Sequence, residues 1–423
     1  MHPDLLKNQN PWWTHADWSR QDPHLVGLDG KSYEYERPEA KTLALPTEAI
    51  HIIRGPRQVG KTTLLKRIAQ NWLAHPGHLP EQLLFLSCES LKDFSALEEL
   101  LFPWLLKHTG RGGIFLDEIS FVNEWPRAIL SFSNKGLLIG KTVWITGSNA
   151  RDLKESGERL PGRRGSGQDI QIYPFGFREL RTLRCFAGLD DAQLIRLYLR
   201  IGGFPHAVED FATHGLVRDE TYHTYRNWII GDAVRYGLSG EILSQILFRI
   251  YETLGSRVTW STLIETTGVK SHETAYNYLQ HLEDSFIAHV LTCYEPSKKI
   301  GNPAKSRKLY FVDPLLYAMA FSWRSGISNS YRWFEGQLEN PKFEGKILEA
   351  AVASAFKRTH PRVYFWYSTK TKQEVDLLVD RGADFDLYEI KRSSTKPLGR
   401  ALNKAIQLIR LDDVPRLQSS PFN

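Results

Sequence analysis

The chain has 423 residues, of which 42% are hydrophobic, 12% aromatic and 24% charged; this balance excludes a largely disordered, collagenous or coiled-coil protein and allows about three domains. The formal net charge of +6 is a mild basic excess, which favours an acidic partner such as nucleic acid without requiring one. Cys88, Cys185 and Cys293 lie far apart, so neither a disulfide framework nor a zinc knuckle is suggested. Residues 1–18 are polar and tryptophan-rich, and no window approaches ~18 consecutive apolar residues. The expectation is a cytoplasmic protein with no membrane association.

Residues 1–45 carry Trp12, Trp13 and Trp18 without a clear period and read as an arm anchored by its aromatics. From Ala49 onward, short apolar runs at 50–53, 83–87, 113–116 and 142–146 alternate with helical stretches, the pattern of βα units around a buried parallel sheet. A further strand is expected at 170–173, stopped by Pro174, and mostly helix over 177–200, before Gly202, Gly203 and Pro205 break the chain. The first domain is expected to end between 180 and 215.

Helical spacing recurs at 242–255, with Ile242, Ile246, Ile250 and Leu254 on one face. A short helix follows at 261–267, and a third runs from a Ser271 cap through Phe286. In that third helix Ala275, Leu279, Leu282 and Phe286 face inward, while His272, Tyr276, Asn277 and Gln280 face out. Strands at 287–294 and 308–312 flank a loop with Lys298, Lys299 and Lys305, and Arg307 and Lys308 extend the basic stretch. This order suggests a winged helix-turn-helix. It either contacts DNA through those basic and polar side chains or serves as a protein-interaction spacer. An amphipathic helix at 343–358, strands at 363–367, 374–379 and 385–390, and a closing helix at 398–409 complete the chain.

The chemistry starts at Gly55-Pro56-Arg57-Gln58-Val59-Gly60-Lys61-Thr62, a complete eight-residue phosphate loop between a predicted strand and a predicted helix that begins with Thr63 and Leu64. Backbone N–H groups of such a loop cradle phosphate oxygens. Lys61 neutralises the β and γ phosphates, and Thr62 offers its hydroxyl to Mg²⁺. Asp117 closes the apolar strand Gly113-Ile-Phe-Leu and is placed to hold the Mg²⁺ shell; Glu118 beside it is the natural base for an attacking water. The next strand ends in Gly147-Ser148-Asn149, where Ser148 or Asn149 either senses the γ-phosphate or caps the following helix. Arg163 and Arg164, in the loop PGRRGSG, either reach a phosphate of the same or a neighbouring subunit or form a solvated basic loop.

The succession RGPRQVGKTTLL, FLDEI, TGSNA, the Gly-Arg loop and YLRIGGFP, followed by FVDP, GKILEAAV and EVDLLVD…YEIK, resembles a family of bacterial and archaeal AAA-superfamily ATPases over essentially the whole chain. In that family the C-terminal domain looks like a PD-(D/E)xK nuclease. The resemblance implies ATP binding and hydrolysis, and no established substrate. The fold class expected is therefore α/β and multidomain. It comprises an arm over 1–45, an AAA-type P-loop αβα sandwich with a helical lid over 46–215, a winged helix over 216–315 and a PD-(D/E)xK nuclease-like α/β domain over 316–423.

The last segment has a chemical pattern of its own. Asp376 sits on one predicted strand, and the next carries Glu389-Ile390-Lys391, whose period of two puts Glu389 and Lys391 on one face. Glu349, in the preceding helix, offers a further carboxylate. Glu349, Asp376 and Glu389 could bind Mg²⁺ while Lys391 assists the nucleophile, which with Asp376 and Glu389 makes a candidate nuclease site. The alternative is a solvated cross-strand charge face. The function expected is an ATPase that binds DNA and couples nucleotide state to a Mg²⁺-dependent nuclease-like domain; the alternative is an ATP-dependent switch or scaffold with an inert domain, whose partner is a protein or a second copy of the chain.

Overall fold

Apolar runs without helical spacing can be buried on both faces as inner strands of a parallel sheet, and in this protein they are. The structure is a computed structural model and describes residues 4–44, 48–148, 160, 162–382, 384–391 and, as backbone, 406–410. The chain divides into two units, Met1–Ile172 and Tyr173–Asn423. The first sheet is completed just before Ile172, and Tyr173 packs on Phe286 and Arg358 of the second unit.

In the first unit, three short helices, α1 (Asp4–Gln9), α2 (Pro23–Asp29) and α3 (Glu39–Thr42), precede strand β1 (Ala49–Arg54). Then follow α4 (Lys61–Leu73), β2 (Leu83–Ser87), α5 (Phe94–Lys107), β3 (Gly112–Asp117), α6 (Trp125–Asn134), β4 (Lys141–Gly147) and β5 (Asp169–Gln171). Among the described residues the five strands are all parallel, in the order β2-β3-β4-β1-β5. β1, β3 and β4 are buried along their full length. Leu97, Leu101, Ile129 and Phe132 of the covering helices share one core with Leu84, Leu86, Ile114, Leu116, Val143 and Ile145.

The edge of that sheet is closed by side chains of the arm. An edge strand leaves a row of backbone donors and acceptors unpaired, and along β2 these are taken up one by one. Asn10, fully buried, donates from Nδ2 to the Phe85 carbonyl at 2.9 Å and accepts the Phe85 N–H at 2.6 Å. Gln9 accepts the Ser87 N–H at 2.7 Å, and the indoles of Trp12 and Trp13 both donate to the Leu83 carbonyl, at 3.0 and 2.9 Å. The arm is also tied to α4, where the buried Lys66 pairs with Asp22 at 3.3 Å and lies 3.8 Å from the centre of the Phe85 ring. Replacing Asn10 by Ala leaves a buried N–H and a buried carbonyl unpaired, so Asn10→Ala is expected to cost about 2 kcal/mol of stability. A denaturant midpoint unchanged by that substitution would show that water satisfies Phe85 equally well.

In the second unit, α7 (Phe177–Thr182), α8 (Asp191–Ile201), α9 (Pro205–His214), α10 (Asp219–Arg235) and α11 (Gly240–Glu252) lead into β6 (Arg257–Val258), α12 (Trp260–Glu265), α13 (His272–Asp284), β7 (Ala288–Glu295) and β8 (Ile300–Phe311). Three more helices, α14 (Leu315–Ser325), α15 (Ser330–Leu338) and α16 (Pro341–Thr359), precede β9 (Val363–Tyr367), β10 (Glu374–Asp380), β11 (Phe385–Lys391) and β12 (Ile406–Arg410). The mostly helical stretch expected over 177–200 contains two α-helices. Asp190 accepts the Gln193 N–H while Gln193 accepts that of Asp190, a reciprocal cap that starts α8 afresh. The closing helix expected over 398–409 also needs correction. Residues 398–405 lie outside the described residues, and 406–410 form a strand, because their backbone pairs in parallel with β11.

Among the described residues, these strands form one seven-stranded sheet in the order β12-β11-β10-β9-β7-β8-β6. The strands assigned from sequence to two successive domains are joined where β7 meets β9 at Cys293 and Phe365. The motifs GGFP and FVDP also prove to be one structure. Asp313, fully buried, accepts the Gly203 N–H at 2.8 Å and the Leu315 N–H at 3.0 Å, and burial pushes its pKa up to about 6. Gly202 takes φ 69°, and a Cβ there would lie 1.8 Å from Asp313 Oδ1, so glycine is required. No helix among the described residues is long and apolar enough to cross a membrane.

Candidate nucleotide site and carboxylate cluster

The phosphate loop connects β1 to α4 at the C-terminal edge of the first sheet, where ligands of open α/β folds bind. Gln58 and Gly60 both take positive φ, 62° and 91°, which turns the backbone into the helix start. Lys61 is almost fully buried; its ammonium donates to the carbonyls of Gly55 and Pro56, each at 3.0 Å, and lies 3.3 Å from Glu118 Oε1. The lysine is thus folded over its own loop, at the place where phosphate charge would be neutralised. Arg37 of the arm donates to the Val59 carbonyl at 3.2 Å and Arg57 lies over the Phe121 ring, so the loop is braced from two sides. Thr63 follows Thr62 in the first turn of α4.

Asp117 and Glu118 sit at the end of β3. The Thr62 hydroxyl donates to Asp117 Oδ2 at 2.7 Å, and the Thr146 hydroxyl donates to Asp117 Oδ1 at 2.5 Å while accepting the Glu118 N–H at 3.0 Å. Thr146 therefore fixes both acids from the neighbouring strand. Burial pushes the Asp117 carboxyl up, against the hydrogen bonds from Thr146 and Thr62 that favour its charge. Burial would also raise Glu118, but the Lys61 and Arg57 charges and the Lys61 and Ser148 contacts outweigh it and hold the carboxyl below its usual range. A hydroxyl and a carboxylate already in contact are hard oxygen donors of the kind Mg²⁺ takes, so Thr62 and Asp117 fit that ion.

Ser148 is buried beside Glu118, and Asn149 lies outside the described residues. Arg163 is exposed and donates to Ser133 Oγ at 3.3 Å. Arg164 pairs with Asp169 at 3.0 Å.

In the second unit the structure brings Glu349 and Asp376 together around a residue that the sequence places on a basic wing. Lys308 is 1% exposed, and its ammonium lies 2.9 Å from Glu349 Oε1, 2.8 Å from Glu374 Oε1 and 3.0 Å from Asp376 Oδ1. The Tyr310 hydroxyl donates to Glu349 Oε1 at 2.5 Å, Arg257 pairs with Glu374 Oε2 at 3.0 Å, and the Ile390 N–H donates to Asp376 Oδ2 at 3.0 Å. Burial disfavours the ammonium, but Tyr310 and the three carboxylates hold the Lys308 pKa well above the usual lysine range. Glu389 instead pairs with Lys391 of its own strand at 3.1 Å; burial and the nearby Asp376 charge raise its carboxyl. Among the described residues no group of three or more His, Cys, Asp or Glu is arranged to hold a metal ion.

The basic stretch expected around a wing is only partly exposed. Lys298, Lys299 and Lys305 face solvent, but Arg307 is buried, its guanidinium 3.4 Å from the centre of the Trp260 ring. On α13, Ala275, Leu279 and Leu282 are buried and His272, Tyr276 and Asn277 exposed, while Gln280 is half-buried and donates to Asp284. Sequence reasoning missed Thr146, Arg37, Tyr310 and Glu374, and it placed Lys308 on an exposed wing. Thr146 carries a usable signal, a hydroxyl at a strand end one strand away from Asp117. Lys308 has one in its position next to the apolar Leu309-Tyr310-Phe311, where an exposed wing lysine is out of place.

A parallel sheet with a phosphate loop after β1 and an acid pair after β3 defines a P-loop nucleoside triphosphatase. Residues 47–181 match a family model described as an AAA domain. Residues 192–327 and 344–414 match two families described as domains of unknown function, DUF8612 and DUF4143. No curated protein matches the chain. Similar solved structures include the Aeropyrum pernix ORC2 protein in ADPNP-ADP complexes (15% identity, 68% of this chain and 94% of that one, TM-score 0.39). They also include A. pernix ORC1 in complex with DNA (14%, 72% and 92%, TM-score 0.35) and a point variant of Thermotoga maritima RuvB (15%, 69% and 93%, TM-score 0.33).

Proposed function

We propose that the protein is an ATP-hydrolysing AAA-type ATPase whose second unit contacts DNA. The observation that carries the ATPase reading is the Thr62–Asp117–Thr146–Glu118–Lys61 network, in which every group needed for phosphoryl transfer to water is held by another member. Gly55 to Thr63 receive the phosphates, and Lys61 exchanges its loop carbonyls and Glu118 for phosphate oxygens. Thr62 and Asp117 would hold Mg²⁺, which would supply positive charge to offset that of the transferring group. Glu118, ionised and released from Lys61, orients the attacking water and accepts its proton. Ser148 stands beside that carboxylate and steadies it.

The DNA reading is supported by the net charge of +6, by His272, Tyr276 and Asn277 exposed on one face of α13, and by the exposed Lys298, Lys299 and Lys305 in the β7–β8 hairpin. A winged-helix reading of this region is supported by the succession helix, strand, helix, helix, strand, strand from α11 to β8. Duplex binding measured by fluorescence anisotropy is expected to weaken linearly in log–log terms with salt, with the slope falling by about 0.9 for each phosphate-contacting lysine removed, as in Lys299→Ala. Absence of duplex binding even at about 50 mM salt would replace this reading by an ATP-dependent switch with a protein partner or a second copy of the chain.

A second reading makes Asp376, Glu389 and Lys391, with Glu349, a Mg²⁺-dependent nuclease site coupled to ATP. It is favoured by the pairing of β10 with β11, which sets Asp376 beside the Glu389-Ile390-Lys391 segment. Against it stands Lys308.

A further inference from the structure

Three carboxylates that converge on one largely enclosed point repel one another and need a cation between them. Here Glu349, Glu374 and Asp376 each turn one oxygen towards a single point, and that point is the Lys308 nitrogen. The ammonium donates to Glu349 Oε1 at 2.9 Å and to Asp376 Oδ1 at 3.0 Å, and Glu374 Oε1 lies 2.8 Å away as a third ion-pair partner. Those distances are the spacing of charge-assisted hydrogen bonds, whereas Mg²⁺ draws its oxygens in to about 2.0–2.1 Å.

Two of the three remaining oxygens of the cluster are committed as well. Asp376 Oδ2 accepts the Ile390 N–H and Glu374 Oε2 pairs with Arg257, whose guanidinium also lies over the Tyr367 ring at 3.3 Å from its centre. The Tyr310 hydroxyl adds a second donor to Glu349 Oε1. Glu389, the third acid of the sequence pattern, is drawn off to Lys391. Lys308 comes from β8, between β7 and the two-residue edge strand β6, and is only 1% exposed.

We infer that the Lys308 ammonium is the resident cation of this cluster, standing where a divalent ion would bind, so that the nuclease-like part of the chain holds no catalytic metal at Glu349 and Asp376. The inference is independent of the ATPase reading and excludes the nuclease one. The carboxylates serve to join β8, β10 and α16 around a fixed positive charge.

The test compares Mn²⁺ binding by the nucleotide-free, full-length protein and its variants, by electron paramagnetic resonance of the free ion. Any weak binding at Thr62 and Asp117 is common to all of them and cancels. Wild type and Asp376→Asn are expected to bind the same amount of Mn²⁺. Folded Lys308→Met, which keeps the stem and removes the charge, is expected to gain one Mn²⁺ per chain, and the double variant Lys308→Met/Asp376→Asn to lose it. Mn²⁺ bound by wild type and lost in Asp376→Asn would overturn the inference, as would Mg²⁺-dependent DNA cleavage abolished by that substitution. A folded Lys308→Met that gains no ion would also overturn it, because the ammonium would then not be standing in a cation's place. If Lys308→Met does not fold, the comparison of wild type with Asp376→Asn still decides. ATP turnover, measured in parallel, is expected to be the same in wild type and Asp376→Asn, which keeps a failure here distinct from a failure of the nucleotide site.

Discussion

Lys61→Ala is expected to weaken ATP binding by roughly 10²- to 10³-fold, the equivalent of about 3–4 kcal/mol for removing one partner of a buried charge pair. Lys61 is 4% exposed, and its neighbours are two backbone carbonyls and Glu118, so no other cation stands ready to replace it among its contacts. The substitution has a second consequence. Glu118 loses its strongest opposing charge while its burial is unchanged, so its carboxyl is expected to rise from below the usual range. Titration of a fluorescent ATP analogue checks the first effect. Binding within about threefold of wild type would mean that the loop backbone alone holds the phosphates and that Lys61 is a structural brace.

Glu118→Gln is expected to lower the turnover number by about 10²- to 10⁴-fold, the usual contribution of a positioned general base, with ATP binding retained. Glutamine keeps the side-chain shape and can still meet Lys61 and Ser148, but it cannot accept a proton from water. The carboxylate is poised for that role by its environment: the same lysine that neutralises phosphate holds it ionised until phosphate competes for the lysine. Single-turnover phosphate release separates the outcomes, since slow chemistry with normal binding supports Glu118 as the base, whereas unchanged turnover removes it. Thr146 links the two acids and is expected to be nearly as sensitive, because both Asp117 and Glu118 take their positions from its hydroxyl.

Much of this is legible in the sequence because it is local. The phosphate loop is eight consecutive residues, and several strands are apolar runs whose ends the sequence places closely, as for Leu83–Ser87 and Val363–Tyr367, whereas the strand expected at 308–312 starts eight residues earlier, at Ile300. Side-chain period also separates the buried from the exposed face of α13, apart from Gln280. The failures come where a partner distant in sequence overrides local preference. Residues 406–410 have the apolar spacing of a helix, but their backbone pairs with β11. The arm looks aperiodic because its polar side chains answer the hydrogen-bonding needs of β2, some seventy residues later.

The chain's own order of residues determined that this protein carries a nucleoside triphosphate loop, which strand ends bear its acids, and that an acid precedes a Glu-x-Lys segment near the C-terminus. Only tertiary structure decided what those last residues do. A lysine in sequence is an exposed positive charge by default, since burying it unpaired is too costly, and Lys308 reads that way. Folding supplies three carboxylates from α16 and β10 to meet it, and the charge that would have faced DNA becomes the counterion of the cluster a metal would have needed.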